Sequence, residues 1–188
     1  MNTLKLSVLA TALLAVCGTA QAKISLNVGA INVAPNESSA YLNTVETVAG
    51  LPTNSTELGL NSNTQLGLTI DYHYSDNVIF ELVAATPFSH EISVKSEASV
   101  VDGLKAGNTK HLPPTVLAQY HFGEAEAAFR PFVGAGINYT VFFDEKFNST
   151  GEGAGLSDLK LDDSWGLAAN IGMDYKINDN WFLNASAW

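Results

Sequence analysis

Ser164-Trp165-Gly166-Leu167-Ala168-Ala169-Asn170-Ile171-Gly172-Met173-Asp174-Tyr175-Lys176-Ile177 reads as the two faces of one strand. Trp165, Leu167, Ala169, Ile171, Met173, Tyr175 and Ile177 fall on one side. Gly166, Ala168, Asn170, Gly172, Asp174 and Lys176 fall on the other. A helix would space its apolar residues by three and four, so a sustained period of two predicts a strand. Asn63 to Tyr74 repeats the pattern, with Leu66, Leu68, Ile70, Tyr72 and Tyr74 opposed to Gln65, Gly67, Thr69, Asp71 and His73. Strands of about ten residues, apolar on one face and small or polar on the other, are long enough to cross a bilayer as part of a β-barrel.

Working outward from these two segments, the alternation predicts seven strands. They run over 23–33 (Ile24, Leu26, Val28 and Ala30 on one face), 63–74, 78–88, 115–122, 129–143 and 164–177, and the seventh starts at Trp181. Ser75-Asp76-Asn77, a cluster of turn-favouring residues, the segment 123–128 and Asn178-Asp179-Asn180 are short connections. The connections 34–62, 89–114 and 144–163 are long. Short turns at one end and long loops at the other are the asymmetry of outer-membrane barrels. Pro35, Pro52, Pro113 and Pro114 fall in the long loops, and Pro87 falls at a strand end, where a missing donor costs little. Gly155 to Leu159 is read as the start of a short surface helix.

The first 22 residues form a secretory leader: Lys5, an apolar run from Leu6 to Val16, and Ala20-Gln21-Ala22 as a small-residue cleavage site. Cys17, the only cysteine, lies inside it, and Val16 occupies the place that a lipoprotein signal fills with a small residue. Residues 23–188 then form one domain without thiols. The formal charge of −10 becomes one unit more negative without Lys5, which argues against nucleic acid as a partner. No apolar run outside the leader approaches the ~20 residues of a membrane helix.

A soluble barrel would alternate too, with its apolar face turned inward. Aromatic residues near the strand ends argue for lipid outside: Tyr74, Phe80, Phe122, Phe129, Tyr175 and Trp181 at one level, Phe88, Tyr139, Phe143 and Trp165 at the other. The opposite face carries Asp71, Glu81, Arg130, Asp174 and Lys176, which need partners or water inside a small barrel. The fold expected is all-β: an antiparallel, up-and-down transmembrane β-barrel.

Five blocks then look familiar: Asn63-Thr64-Gln65-Leu66-Gly67-Leu68-Thr69, Ala84-Ala85-Thr86-Pro87-Phe88, His111-Leu112-Pro113-Pro114-Thr115, the run from Arg130 to Thr140, and Gly155-Leu156-Ser157-Asp158. In this order they resemble the OmpW family of bacterial outer-membrane proteins. The resemblance implies an eight-stranded barrel in the outer membrane of a Gram-negative bacterium and, for the family, passage of small hydrophobic molecules. It also implies an eighth strand ending in an aromatic residue, whereas this sequence stops at Trp188. The chain is therefore read as truncated at its C-terminus by roughly 25–40 residues, one strand of ~10 residues plus a loop, with about seven strands present and unpaired edges expected.

Counting inward-facing residues up from the short turns places His73, His121, Arg130 and Lys176 in the lowest layer, with Asp71, Glu81 and Asp174 above them. Bases below acids in a narrow barrel suggest a salt-bridged plug. Higher up, glycines and alanines leave space, and Val83, Leu117 and Trp188 offer apolar walls, with Val83 and Trp188 as a constriction. Two readings stay open: a hydrophobic pocket opening outward, or side chains that interlock to fill the interior. The family resemblance favours the pocket.

Enzymatic readings are weaker. His73, His90, His111 and His121 show no metal-ligand spacing along the chain, no serine sits in a nucleophile motif, and no cofactor is expected. Asp144, Glu145, Glu152, Asp158, Asp162 and Asp163 could hold a divalent ion or form a solvated face. The partners expected are outer-membrane lipid and lipopolysaccharide, with a small hydrophobic solute in the lumen or phage, bacteriocin or host surfaces at the loops. A transporter and a structural or receptor barrel with an inert lumen therefore both remain.

Overall fold

The protein is described here by a computed structural model covering residues 24–36, 39, 41–97 and 100–188, with the main chain alone of 11–16. The elements are β1 (Thr11–Val16), β2 (Ile24–Val33), α1 (Asn43–Ala49), β3 (Thr56–Leu60), β4 (Asn63–His73), β5 (Val78–Ala85), β6 (Phe88–Ser96), β7 (Lys105–Leu112), β8 (Thr115–His121), β9 (Phe129–Phe147), α2 (Ser149–Gly153), β10 (Ser164–Lys176) and β11 (Phe182–Ala187). No helix among the described residues is long and apolar enough to cross a membrane.

Antiparallel pairing runs β1-β2-β4-β5-β8-β9-β10-β11 and returns to β1, closing a ring of strands. The open seam expected from the sequence is therefore bridged. Thr11–Val16, part of the segment read as a leader, pairs with both β2 and β11. The physical reason is that two strand edges at membrane depth leave backbone N–H and C=O groups that only another strand can satisfy. The rest of the leader reading lies outside the described residues.

Around the ring the alternation sorts side chains between lipid and lumen. Leu66, Leu68, Ile70 and Tyr72 on β4 and Ile171, Met173 and Tyr175 on β10 are exposed, while Thr69, Asp71, Glu81 and Gln119 are buried inside. A continuous exposed apolar belt of this size is a membrane surface. The lower girdle stands as expected: Tyr74 packs edge-on to Phe80, and Tyr120 to Phe122, with Phe129, Tyr175 and Trp181 exposed at the same level. At the upper level Tyr139 packs on Trp165.

Phe88 departs from the girdle expected of it: it is 1 % exposed and points inward. The reason is the break at Thr86-Pro87, which ends β5 and restarts the alternation in β6 in the other phase. There the chain leaves the ring, whose β5 pairs next with β8.

The long connections are folded. The upper part of β9 pairs with β7, β7 with β6 and β6 with β3, forming a second sheet above the ring. We call this part the head. Val45, Val94, Val101 and Ala106 form its core, with Leu51, Leu104 and Phe147 packed against them. The short helix expected from Gly155 starts six residues earlier, as α2 at Ser149, because Asn148 caps it by accepting from the N–H groups of Thr150 and Gly151 at 2.9 Å each.

Buried Glu46 locks the head's first loop. Its carboxylate accepts from the backbone N–H of Asn54 (2.9 Å), Ser55 (2.9 Å) and Thr56 (3.1 Å) and from the Thr56 hydroxyl (3.0 Å). Burial alone would raise its pKa, but these four donors together hold it below the usual carboxylate value. Three acids of the third loop are similarly engaged. Asp144 pairs with Lys110 at 2.8 Å, Glu145 accepts from Leu161 N–H, and Asp163 accepts from the Tyr139 hydroxyl and Phe142 N–H. They pin the loop to β7 and β9.

Candidate functional site

The lumen divides into a polar lower part and an apolar upper part. Below, Asn27 on β2 donates to Asp71 and to the Thr69 hydroxyl, both at 2.6 Å. Ser25 lies 2.9 Å from His73 Nε2 and 3.4 Å from Asp71. Gln119 donates to Glu81 at 2.8 Å, and its carbonyl oxygen lies 3.0 Å from His121 Nε2. His121 Nδ1 comes within 3.1 Å of Asp174, a close approach without hydrogen-bond alignment, and Asn184 donates to the same carboxylate at 2.7 Å. The Phe132 ring stacks on His121, with centroids 4.6 Å apart.

Asp71, His73, Glu81, His121 and Asp174 thus converge as the sequence places them. Arg130 and Lys176 do not join them. Arg130 lies opposite Asp174 in the β9–β10 register, yet its guanidinium donates to the Asp76 carbonyl in the turn below. Lys176 reaches Asp179 at 3.0 Å and Glu126 at 3.4 Å. Long cationic side chains at a rim run toward water rather than stay in a low-dielectric interior. The acids are instead met by amides and hydroxyls, so the cluster is held by hydrogen bonds more than by ion pairs. Ser25 and Asn27 are members that the sequence reading missed, although the period of β2 puts both on its inner face.

Above this cluster Ile31, Val83, Phe88 and Leu117, all less than a tenth exposed, form an apolar layer, with Val33, Ala85, Ala168 and Trp188 packed against it. Val83, Leu117 and Trp188 therefore meet, and Ile31 and Phe88 are the additions. The space attributed to the glycines lies elsewhere. A Cβ on Gly136 would sit 1.8 Å from the Val116 carbonyl oxygen, and one on Gly134 2.3 Å from Asn170 Oδ1. These glycines admit neighbouring strands and side chains rather than leave voids.

The open space is higher, a cavity of about 560 Å³ whose walls include Val33, Pro35, Ala85, Phe88, Pro113 and Ala168. Three of its polar wall residues bond to one another. Asn138 donates to the Thr115 hydroxyl (2.8 Å) and the Pro113 carbonyl (3.1 Å), and Thr140 donates to Asn138 Oδ1 (2.7 Å). That leaves a mainly apolar surface toward the cavity. His111 also borders it. Its ring stacks on Phe142 and lies 3.1 Å, Nε2 to Nε2, from His90. Burial, with His90 adjacent, pushes the His111 pKa down to about 4.

Residues 20–188 match the OmpW family. The chain belongs to the OmpW family. It is 59% identical over 162 residues to Outer membrane protein W of Vibrio cholerae, covering 85% of this chain and 69% of that protein. It is 53% identical over 127 residues to Outer membrane protein W of Escherichia coli, covering 68% of this chain but only 57% of that relative's length. The crystal structure of OprG from Pseudomonas aeruginosa superposes with a TM-score of 0.66 at 32% identity, over 95% of this chain and 88% of that one. The protein is an antiparallel β-barrel of the Gram-negative outer membrane, as its OmpW-family relatives are.

Proposed function

We propose that this OmpW-family barrel passes small hydrophobic molecules, taking them from outside into the upper lumen above a closed polar floor. The observation that carries this reading is the cavity of about 560 Å³. Its volume lies within the range of roughly 300–1,000 Å³ usual for small-molecule sites. The Asn138, Thr115 and Thr140 side chains in its wall already bond to one another, so an apolar solute need not strip them from water. Beneath it lie Leu117 and Phe132, both buried, which on this reading close the axis. Water-filled passage straight through so narrow a barrel is not expected. Ala84 on β5 and Leu167 on β10, both exposed on the lipid-facing side, also border the cavity, and on this reading an apolar solute leaves sideways into the bilayer rather than through the floor.

The test is uptake of an apolar tracer into liposomes containing the full-length protein. Val83→Trp, which fills the cavity floor, and Trp188→Ala, which removes its side wall, should change uptake in opposite directions, each several-fold. Correctly inserted barrels that give no protein-dependent uptake would sink the reading.

A second reading has one observation in its favour: the head has a core of its own, and a folded platform is what a receptor for phage, bacteriocin, host or lipopolysaccharide surfaces needs. Under that reading the head residues govern activity, lumen substitutions are silent, and the lumen is inert. Neither reading involves catalysis or a cofactor.

A further inference from the structure

His90 and His111 are 21 positions apart in sequence and show no metal-ligand spacing, but the β6–β7 pairing brings them together. Their ring centroids are 4.9 Å apart and their Nε2 atoms 3.1 Å apart. The tautomers follow from the neighbours. His90 Nδ1 lies 2.6 Å from the Asn61 carbonyl oxygen, which can only accept, so Nδ1 carries the proton and His90 Nε2 presents a bare lone pair. His111, protonated at Nε2, donates to it. A ring held through its other nitrogen by a backbone carbonyl is the support that metal-ligating histidines have.

We infer that His90 and His111 form a two-nitrogen chelate for one divalent late-transition-metal ion at the outer mouth of the lumen. The spacing suits it. Two imidazole nitrogens at about 2.0–2.1 Å from one ion, subtending a right to a tetrahedral angle, stand roughly 2.9–3.4 Å apart. Binding needs the other tautomer of His111: its single ring proton leaves Nε2 and Nδ1 takes one up from water, so the ion meets a neutral imidazole and no net proton is released. Both rings are held in place beforehand. Phe88 lies parallel to His90 at 16°, and Phe142 parallel to His111 at 18°. His90 is 2 % exposed.

A second, independent feature adjoins the pair. Thr109 lies directly opposite His90 in the β6–β7 register, and its buried hydroxyl has no hydrogen-bond partner. On the same face of the sheet as both rings, it is available to accept from a water on the bound ion. Imidazole donors select Zn²⁺, Cu²⁺ or Ni²⁺, whereas Mg²⁺ and Ca²⁺ require a shell of oxygens. With two protein ligands, the ion keeps open positions for water.

The experiment uses the full-length protein in detergent micelles, with Cu²⁺ or Zn²⁺ as the probe. Cu²⁺ should give an electron paramagnetic resonance spectrum with hyperfine coupling to two equivalent nitrogens. Zn²⁺ should move the side-chain ¹⁵N signals of His90 and His111 and leave those of His73 and His121 in place. His90→Gln and His111→Gln should each weaken binding at least tenfold and reduce the coupling to one nitrogen. A tenfold excess of Mg²⁺ should not compete. Unchanged binding in both variants, or Zn²⁺-induced shifts confined to His73 and His121, would overturn the inference. Because the spectra of the unsubstituted protein carry the assignment, a variant that fails to fold leaves the test intact.

Discussion

From Phe129 to Ile137, β9 turns Phe129, Val133, Ala135 and Ile137 toward lipid and Arg130, Phe132, Gly134 and Gly136 toward the lumen. Beyond the membrane, Phe142 on the same strand covers His111, and Phe147 packs into the core of the head. The barrel is thus apolar outside and the head apolar inside, and one continuous strand obeys both rules. Phe142 keeps the even parity of the lumen-facing side chains, and the shift that turns odd-numbered Phe147 inward is local. Asp144 has φ of 53°, in the left-handed region that Asp tolerates better than most residues. The β7–β9 register slips there, between Asn108 and Lys110. A bulge of this kind puts two residues opposite one and reverses which face each later side chain meets.

The largest effect should come from testing the outer faces against each other. Leu68→Lys places a charge on the lipid face of the barrel, at a cost of about 2–4 kcal/mol at mid-bilayer. Val100→Lys, on the exposed surface of the head, should stay within about 0.5 kcal/mol of the parent. Urea unfolding in lipid vesicles separates the two. Equal costs would mean that the belt does not face hydrocarbon.

Next in size is the head's core. Val94 is fully buried there, and Val94→Ala should cost the head about 2 kcal/mol, between the ranges for removing one methyl group and a whole aliphatic side chain. Amide hydrogen exchange should quicken in β3, β6 and β7 while the ring's protection is unchanged. Loss of protection throughout would show that the two parts unfold as one.

Asp144→Val probes the bulge itself. A β-branched residue forced to positive φ costs about 1–2 kcal/mol. Because this variant also removes the partner of Lys110, Asp144→Asn is the control that keeps the conformation and loses the charge. Only the Val variant should disturb the chemical shifts of Phe142 and Phe147.

The smallest effect is a pH dependence in the head's first loop. The folded-state pKa of Glu46 lies below its ordinary value, so its stabilisation is fully present above that ordinary value and disappears as pH falls through the lowered one. Exchange protection at Asn54, Ser55 and Thr56 should fall with acidification in that window. Glu46→Gln should show reduced protection at every pH and no such step.

The same contrast explains what the residues disclosed in advance. Strands whose apolar side chains all face lipid write an unbroken period of two, and β4 and β10 were legible from their first few residues. In the head, alternation is short and mixed, as in Phe88-Ser89-His90-Glu91-Ile92, and the segments were read as loops. Their faces are set by pairing with β9 and by small cores between sheet and helix, which no single segment reveals. The lumen was half legible. Parity placed Asp71, Glu81, His121, Val83 and Leu117 inside, but it could not tell that Arg130 and Lys176 would turn down to the rim. Phe88 was misassigned because Thr86-Pro87 resets the count.

β9 is 19 residues long. At about 3.3 Å per residue that is roughly 60 Å of strand, against a hydrocarbon thickness of about 30 Å. Even tilted, it carries the head well clear of the acyl chains, to the height where the sugars of the outer leaflet begin. A solute that entered beside Phe88 and Pro113 would leave water within a walled vestibule, already past much of that hydrophilic layer. On the proposed route the strand is a chimney as well as a stave: it would set how far above the bilayer an oily molecule first meets a surface it can wet.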